Sequence, residues 1–255
     1  MDRQRPADEV YVLVSSALER RGVLAAFTER SGGTSPVPFN SLNIGYRTGD
    51  DHDRVRQNRE RAIAALRIPP VTTARQVHGT EVFRVGSQRA GRGFADPAET
   101  LPAADILATR RPGIALGVLV ADCLPVILAS DDLLVVVHAG WQGMAGGIID
   151  RAVDLFPSAS DVTAALGPAI GPCHYEVGQD VAEAVTAGSG GGARRRRRKG
   201  RIYLDLPATA ESSLRARGIR DIDRAEVCTA CREDRFFSHR RDGVTGRQAA
   251  IAVRL

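Results

Sequence analysis

A mixed α and β architecture is what this sequence predicts, and two patterns predict it. Short apolar runs rich in β-branched residues ("VYVLVSS", "PVILA", "LLVVV") alternate with segments whose apolar residues recur at helical spacing. Size agrees, since 255 residues with 43% hydrophobic content suffice to bury a full core.

In chain order, "VYVLVSS" reads as a strand, and "LAAFTER" leads into the polar loop "SGGTSPVPFNSLNIG". "DHDRVRQNRERAIAALRI" is an amphipathic helix: Val55, Ala62, Ile63 and Leu66 fall on one face, and Pro69 follows its end. "ARQVHGTEVFRVG" predicts a strand pair around the turn His78-Gly79-Thr80. "IALGVLV", "PVILA" and "LLVVV" are consecutive strands, and "GMAGGIIDRAVDLF" is one helix stopped by Pro157. "DVTAALGPAIGP" is a strand running into a glycine-proline loop. Helices follow from "HYEVGQDVAEAVTA" and "ATAESSLRARGI", the second ended by Gly218. The C-terminal "RFFSHRRDGVTGRQAAIAVRL" reads as a hairpin with Asp242-Gly243 at its turn.

The formal charge of +5 is concentrated in "RRRRRK", Arg194 to Lys199, and without it the body is close to neutral. That run lies in a glycine-rich stretch, 188–200, whose like charges predict a solvated flexible insertion, so nucleic acid is not the expected partner. Lys199 is the only lysine, which argues against Schiff-base chemistry. No apolar run approaches the roughly 18 residues of a membrane span, and the charged start "MDRQRPADEV" is no signal peptide, so no membrane association is expected and the location is read as cytoplasmic. Four cysteines are too few for a disulfide scaffold in a chain this long, which leaves them available as thiolates or metal ligands.

Cys123 and His138 sit at the two ends of the apolar hairpin "PVILASDDLLVVV". With a tight loop at Ser130-Asp131 they face each other across the sheet, close enough to share one metal ion. Pro125 weakens that register, because proline cannot donate to the ladder. A cysteine after an apolar strand is commonly a small core residue and a strand-end histidine is often just hydrogen-bonded, but "QVHGT" offers a third ligand: His78 lies at a polar turn where a histidine has no packing reason to be. Two histidines and a cysteine with one open position form the ligand pattern of a catalytic zinc site. The same set occurs in blue-copper sites with an axial methionine, here Met144. Several clustered histidines are needed for a multicopper oxidase, and the chain adds only His52, His174 and His239, so zinc is preferred over copper. The glycines of "AGWQGMAGG" suit either an anion at a helix start or close helix packing. The loop stretches "ERSGGTS" and "SLN" are rich in hydrogen-bonding groups. "CTAC", Cys228 to Cys231, lacks the second pair that a zinc ribbon needs and reads as a structural pair of thiols.

The ordered set "FTERSGGTS", "SLNIG", "QVHG", "ADILAT", "ADCLPVIL", "HAGWQG", "LGPAIGPCHYEVG", "CTA", "FFSHRRDG" and "TGRQAAI" resembles the YfiH family, formerly described as multicopper polyphenol oxidases or laccases. The resemblance runs from about Ala26 to Ile251 and implies a single domain over 1–255 with an α+β, mixed-sheet, α/β/β/α layered fold. It implies zinc at His78, Cys123 and His138. The implied activity is a purine nucleoside phosphorylase acting on adenosine, inosine and methylthioadenosine, with adenosine deaminase activity. Editing of mis-made peptidoglycan precursors, UDP-muramoyl amino acids, is the alternative, and a copper-dependent polyphenol oxidoreductase a further one. The partners are then small molecules, a purine nucleoside and phosphate, and a monomer is expected. Gln142 departs from the family, where arginine usually follows "HAGW". Arg30, Asn43 and Gln76 are the candidates for phosphate or ribose contacts, and Asp122 for orienting a ligand histidine.

Overall fold

The computed structural model describes residues 1–7, 9–96 and 101–255. Two six-stranded sheets stack between helices, which is the layered α+β order expected. The first sheet runs β1 (Asp2–Ala7), β2 (Val10–Val14), β3 (Val23–Thr28), β15 (Gln248–Arg254), β7 (Ala115–Val120), β4 (Val71–Thr72). The second runs β14 (Asp221–Arg224), β10 (Thr163–Leu166), β8 (Leu124–Ala129), β9 (Leu134–Ala139), β6 (Ile106–Thr109), β5 (Val82–Arg84). Neighbours are antiparallel except β4–β7, β10–β14 and β5–β6. A third, small sheet of β11 (Glu176–Val177), β13 (Arg201–Asp205) and β12 (Arg194–Arg198) packs Leu204 and Val177 into the apolar layer outside the second sheet.

Three apolar layers hold these pieces. Between the sheets, Phe27, Leu116 and Val118 meet Ile127, Leu134 and Val136. Outside the first sheet, Val12, Val14 and Ile251 cover Ala62 and Ala65 of α2 (His52–Leu66). Outside the second, Val126, Leu128, Val135 and Val137 pack on Ile148 and Ile149 of α4 (Ile148–Val153) and Leu206 and Leu214 of α6 (Leu206–Ala216). Strands buried on both faces carry unbroken apolar runs rather than alternation, which is why "PVILA" and "LLVVV" read so strongly. Helix α2 starts at Asp51, whose side chain accepts the Arg54 N–H, and ends at Arg67 in the left-handed region. The remaining helices are α1 (Ser16–Glu19), α3 (Trp141–Ala145), α5 (Gln179–Gly188) and α7 (His239–Asp242). No helix among the described residues is long and apolar enough to cross a membrane.

Several local expectations are corrected. The helix expected over "GMAGGIIDRAVDLF" is two, α3 and α4, because Gly147 takes a left-handed conformation at φ 77 between them. The C-terminal hairpin is absent: Ser238 caps the short α7 across the expected turn, and β15 pairs with β3 and β7 instead of a local partner. Those two distant strands bury both edges of β15, which a surface hairpin would leave half open. Around His78 only the second arm is a strand, β5, while the first makes a single bridge, Arg75 to Ala103. Of the three consecutive strands, β7 belongs to the first sheet and β8 and β9 to the second. The arginine run, expected as a loose insertion, is the fully exposed edge strand β12, paired with β13 around Lys199-Gly200.

Candidate metal centre and substrate cavity

The β8–β9 hairpin turns at Asp131-Asp132 rather than Ser130-Asp131, with the Ser130 N–H donating to the Leu133 carbonyl at 3.0 Å. Moving the turn by one residue slips the register by two, so His138 faces Pro125 and Cys123 precedes the paired residues. They are therefore not the cross-strand partners expected. An even slip keeps every side chain on its face, however, and both still point into the space between the sheets. Pro125 causes no bulge. Its carbonyl accepts the Gly167 N–H at the end of β10, so its missing N–H is on that side and not in the ladder with β9.

His78 completes the group. The donor atoms of His78, Cys123 and His138 all lie within 4.8 Å of one another, and the imidazoles meet edge to face at 4.8 Å. Asp105, immediately before β6 and fully buried, organises both rings. Its carboxylate accepts from His138 Nδ1 at 2.8 Å and from the backbone N–H groups of Val77, His78 and Gly79 at 3.1, 3.0 and 2.7 Å. Three converging amides hold His78 at φ 61, a left-handed conformation uncommon for histidine. Fixing Nδ1 of His138 leaves Nε2 as its free ligand atom. Gly140, at the foot of α3, leaves room for the cluster: a Cβ there would sit 3.0 Å from His78 Cδ2 and 3.1 Å from Cys123 Sγ. The glycine-rich turn thus serves close packing.

The charges reinforce one another. Burial opposes the Cys123 thiolate, but His138 and His78 outweigh it and bring the thiol down to about 6. Burial likewise opposes protonation of His138, yet the Cys123 thiolate and Asp105 raise it to about 9. Asp105, despite its burial, is kept below the usual carboxylate range by His138 and the amides of Gly79 and Val77. The donors fit one divalent cation: a thiolate and two imidazoles converge where a cation can replace the proton that otherwise compensates them.

A cavity of about 660 Å³, within the range of small-molecule sites, opens over this cluster. Its wall carries Arg47, Arg75 and Arg247, the rings of Tyr46 and His52, and Asp96 as the single acid among the described residues. Arg59 also borders it, but its guanidinium is committed to the carbonyls of Ile44, Gly93 and Phe94 between the rings of Tyr46 and Phe94, and burial lowers it to about 10.

Of the three expected substrate contacts, Gln76 lines the cavity, with its amide joined to the Leu119 N–H and carbonyl at 2.7 Å each. This fastens "QVHG" to β7. Asn43 is fully buried off the wall; its Oδ1 accepts from the Arg247 and Gly45 N–H groups and its Nδ2 donates to Thr48 and Asp50. It positions Arg247 rather than bordering the cavity. Arg30 stacks on Phe237 at 4.7 Å and donates to the carbonyls of Asn40 and Glu233, which ties loops together away from the cavity. Asp122 touches neither histidine. It accepts from Thr229 Oγ1 at 2.6 Å and the Arg240 N–H at 2.7 Å, holding the turn before Cys123 at φ 92, while Asp105 takes the orienting role expected of it. Met144, the axial candidate of the copper reading, packs into the helix-facing core. Asp105, Arg75 and Arg247 were missed; an acid placed directly before the apolar run "ILAT" was the available signal for the first.

"CTAC" is not half a site. Cys173 and His174 join Cys228 and Cys231 in a second group whose donor atoms lie within 4.8 Å of one another. All four cysteines of the chain are unbridged.

Residues 24–254 match the family described as multi-copper polyphenol oxidoreductase laccase. The chain is 38% identical over 248 residues to a protein named purine nucleoside phosphorylase YlmD from Geobacillus stearothermophilus, covering 91% of this chain and 90% of the relative. It is 36% identical over 237 residues to the Escherichia coli protein named purine nucleoside phosphorylase YfiH, covering 91% and 93%. The crystal structure of Geobacillus YlmD superposes with a TM-score of 0.90 at 35% identity over 99% of this chain and 98% of that one. A Bacillus licheniformis YfiH structure gives 0.88 at 30% identity, covering 98% of each.

Proposed function

The chain belongs to the YfiH and laccase-like family, and from that premise we propose that it is a zinc-dependent purine nucleoside phosphorylase acting in the cytoplasm, as a monomer, on adenosine, inosine and methylthioadenosine. The observation that carries this reading is the His78–Cys123–His138 cluster opening into a cavity walled by Arg47, Arg75 and Arg247. A site of three donors beside several arginines suits a small anion next to a metal.

His78, Cys123 and His138 would hold the ion, and Asp105 would orient His138 from behind. A zinc ion held there supplies electrophilic polarisation of a substrate oxygen or nitrogen. Arg75 and Arg247 bind orthophosphate and align one of its oxygens with the anomeric carbon. As that C–O bond forms, the bond from the anomeric carbon to the purine breaks. The electron pair leaves with the base, which takes up the proton that hydrogen phosphate gives up as it becomes the phosphate ester. Tyr46 and His52 offer ring surface to the purine, and Leu119 and Val120 add apolar wall to the cavity. Adenosine deamination uses the same cavity with water in place of phosphate and ammonia as the leaving group.

Incubation with inosine tests this. Hypoxanthine and ribose 1-phosphate form only when phosphate is added, and Cys123→Ala lowers the formation of both about 10³-fold. Base release independent of phosphate would overturn the phosphorylase, and hydrolysis of a UDP-muramoyl amino acid without nucleoside turnover would establish the editing hydrolase instead.

A further inference from the structure

We propose that Cys173, His174, Cys228 and Cys231 form a second, closed zinc site that braces the turn presenting Cys123. Cys231 Sγ lies 3.4 Å from both Cys173 Sγ and His174 Nδ1, and Cys228 Sγ lies 4.0 Å from that nitrogen. Donors of a tetrahedral zinc thiolate, about 2.3 Å from the ion, stand roughly 3.8 Å apart. The four atoms thus already surround a point that a cation can occupy.

Two features beyond the donors point the same way. The Gly171 N–H donates to Cys228 Sγ at 3.2 Å, an amide contact of the kind that orients a metal-ligating sulfur. A Cβ on Gly171 would lie 3.3 Å from Cys228 Cβ and 3.4 Å from Cys173 Sγ, so the glycine keeps the approach to the sulfurs open. Three soft sulfurs and one imidazole select zinc over a hard, oxygen-seeking cation. Four protein donors also leave no vacancy for substrate, which makes the site a brace and not a second reaction centre. Binding releases the thiol protons to solvent and changes no oxidation state.

The place in the fold gives the brace its purpose. β10 and β14 are parallel neighbours, and the irregular loops leaving their C-terminal ends carry the two halves of the cluster. Cys228 bridges Ala169, and the adjoining Thr229 and Arg240 fill both oxygens of Asp122. Pinning these loops together holds Asp122, and with it the left-handed turn beside Cys123.

Peptide-resolved alkylation of the native protein, purified without chelator, tests the site independently of catalysis. Iodoacetamide should leave Cys173, Cys228 and Cys231 unmodified until EDTA or phenanthroline is added, although Cys173 and Cys231 are exposed. Metal analysis should find zinc at both cysteine-histidine groups in the native chain and should still find it in Cys123→Ala, with the same three thiols protected. Equal alkylation with and without chelator would overturn the proposal, as would recovery of these cysteines as a disulfide or loss of all zinc in Cys123→Ala.

Discussion

The two cysteine-histidine clusters differ in donor number and in what surrounds them. The first has three donors at the mouth of the space between the sheets, with His138 and Asp105 buried behind and an arginine-walled cavity in front. The second has four donors on the loops that follow β10 and β14, with Cys173, His174 and Cys231 exposed. An ion with a missing protein ligand and a cavity before it can act on a substrate, whereas an ion enclosed by four side chains can only hold chain segments together. The difference teaches that similar residues are given unlike tasks by coordination number and access.

The largest effect that separates them is on turnover. Cys123→Ala lowers kcat/KM for inosine phosphorolysis by about 10³-fold, the scale expected when several kcal/mol of electrophilic stabilisation is lost; steady-state assays at saturating phosphate check it. Asp105→Asn removes the charge that holds His138 and the three amides, and costs about 10–100-fold in zinc affinity or activity. Zinc-competition titration beside the activity assay separates the two. Arg75→Ala raises the KM for phosphate about 10-fold, the scale of one charged hydrogen bond, with little change in the KM for nucleoside. In the second cluster the balance reverses: Cys231→Ser shifts thermal unfolding downward by roughly 5–10 °C, as a loss of a few kcal/mol would in a chain of this size, and alters kcat far less than Cys123→Ala does. A fall in turnover matching that of Cys123→Ala, with the thermal midpoint unmoved, would break the division of labour. The smallest effect belongs to β12: replacing its five arginines with serine changes kcat/KM less than about twofold, since every one is exposed and none lines the cavity over the first cluster.

Much of this was legible before the fold was known. "PVILA" and "LLVVV" declare themselves because strands covered on both faces must be apolar throughout, and α2 because one face of a helix must be. His78 was legible for the opposite reason, a polar ring where packing offers it nothing. The hairpin register was not, because "SDDL" allows a tight turn at either of two positions and only the neighbouring strands choose between them. Arg30 and Asn43 looked like binding residues because polar loop residues commonly are. In the folded chain they use the same hydrogen-bonding capacity to join loops and to hold Arg247 by its backbone.

Residue order alone determined the doubly covered strands and the long helix α2, the three ligand-type side chains of the first cluster and the neutrality of the body outside its arginine run, because each is a property of local pattern or composition. Tertiary structure alone decided which carboxylate grips His138, which arginines face the cavity, and that His174 meets Cys231, 57 positions away. Those pairings depend on how sheets stack and loops exit, and no local periodicity records the distance between side chains that meet only after the chain has closed on itself.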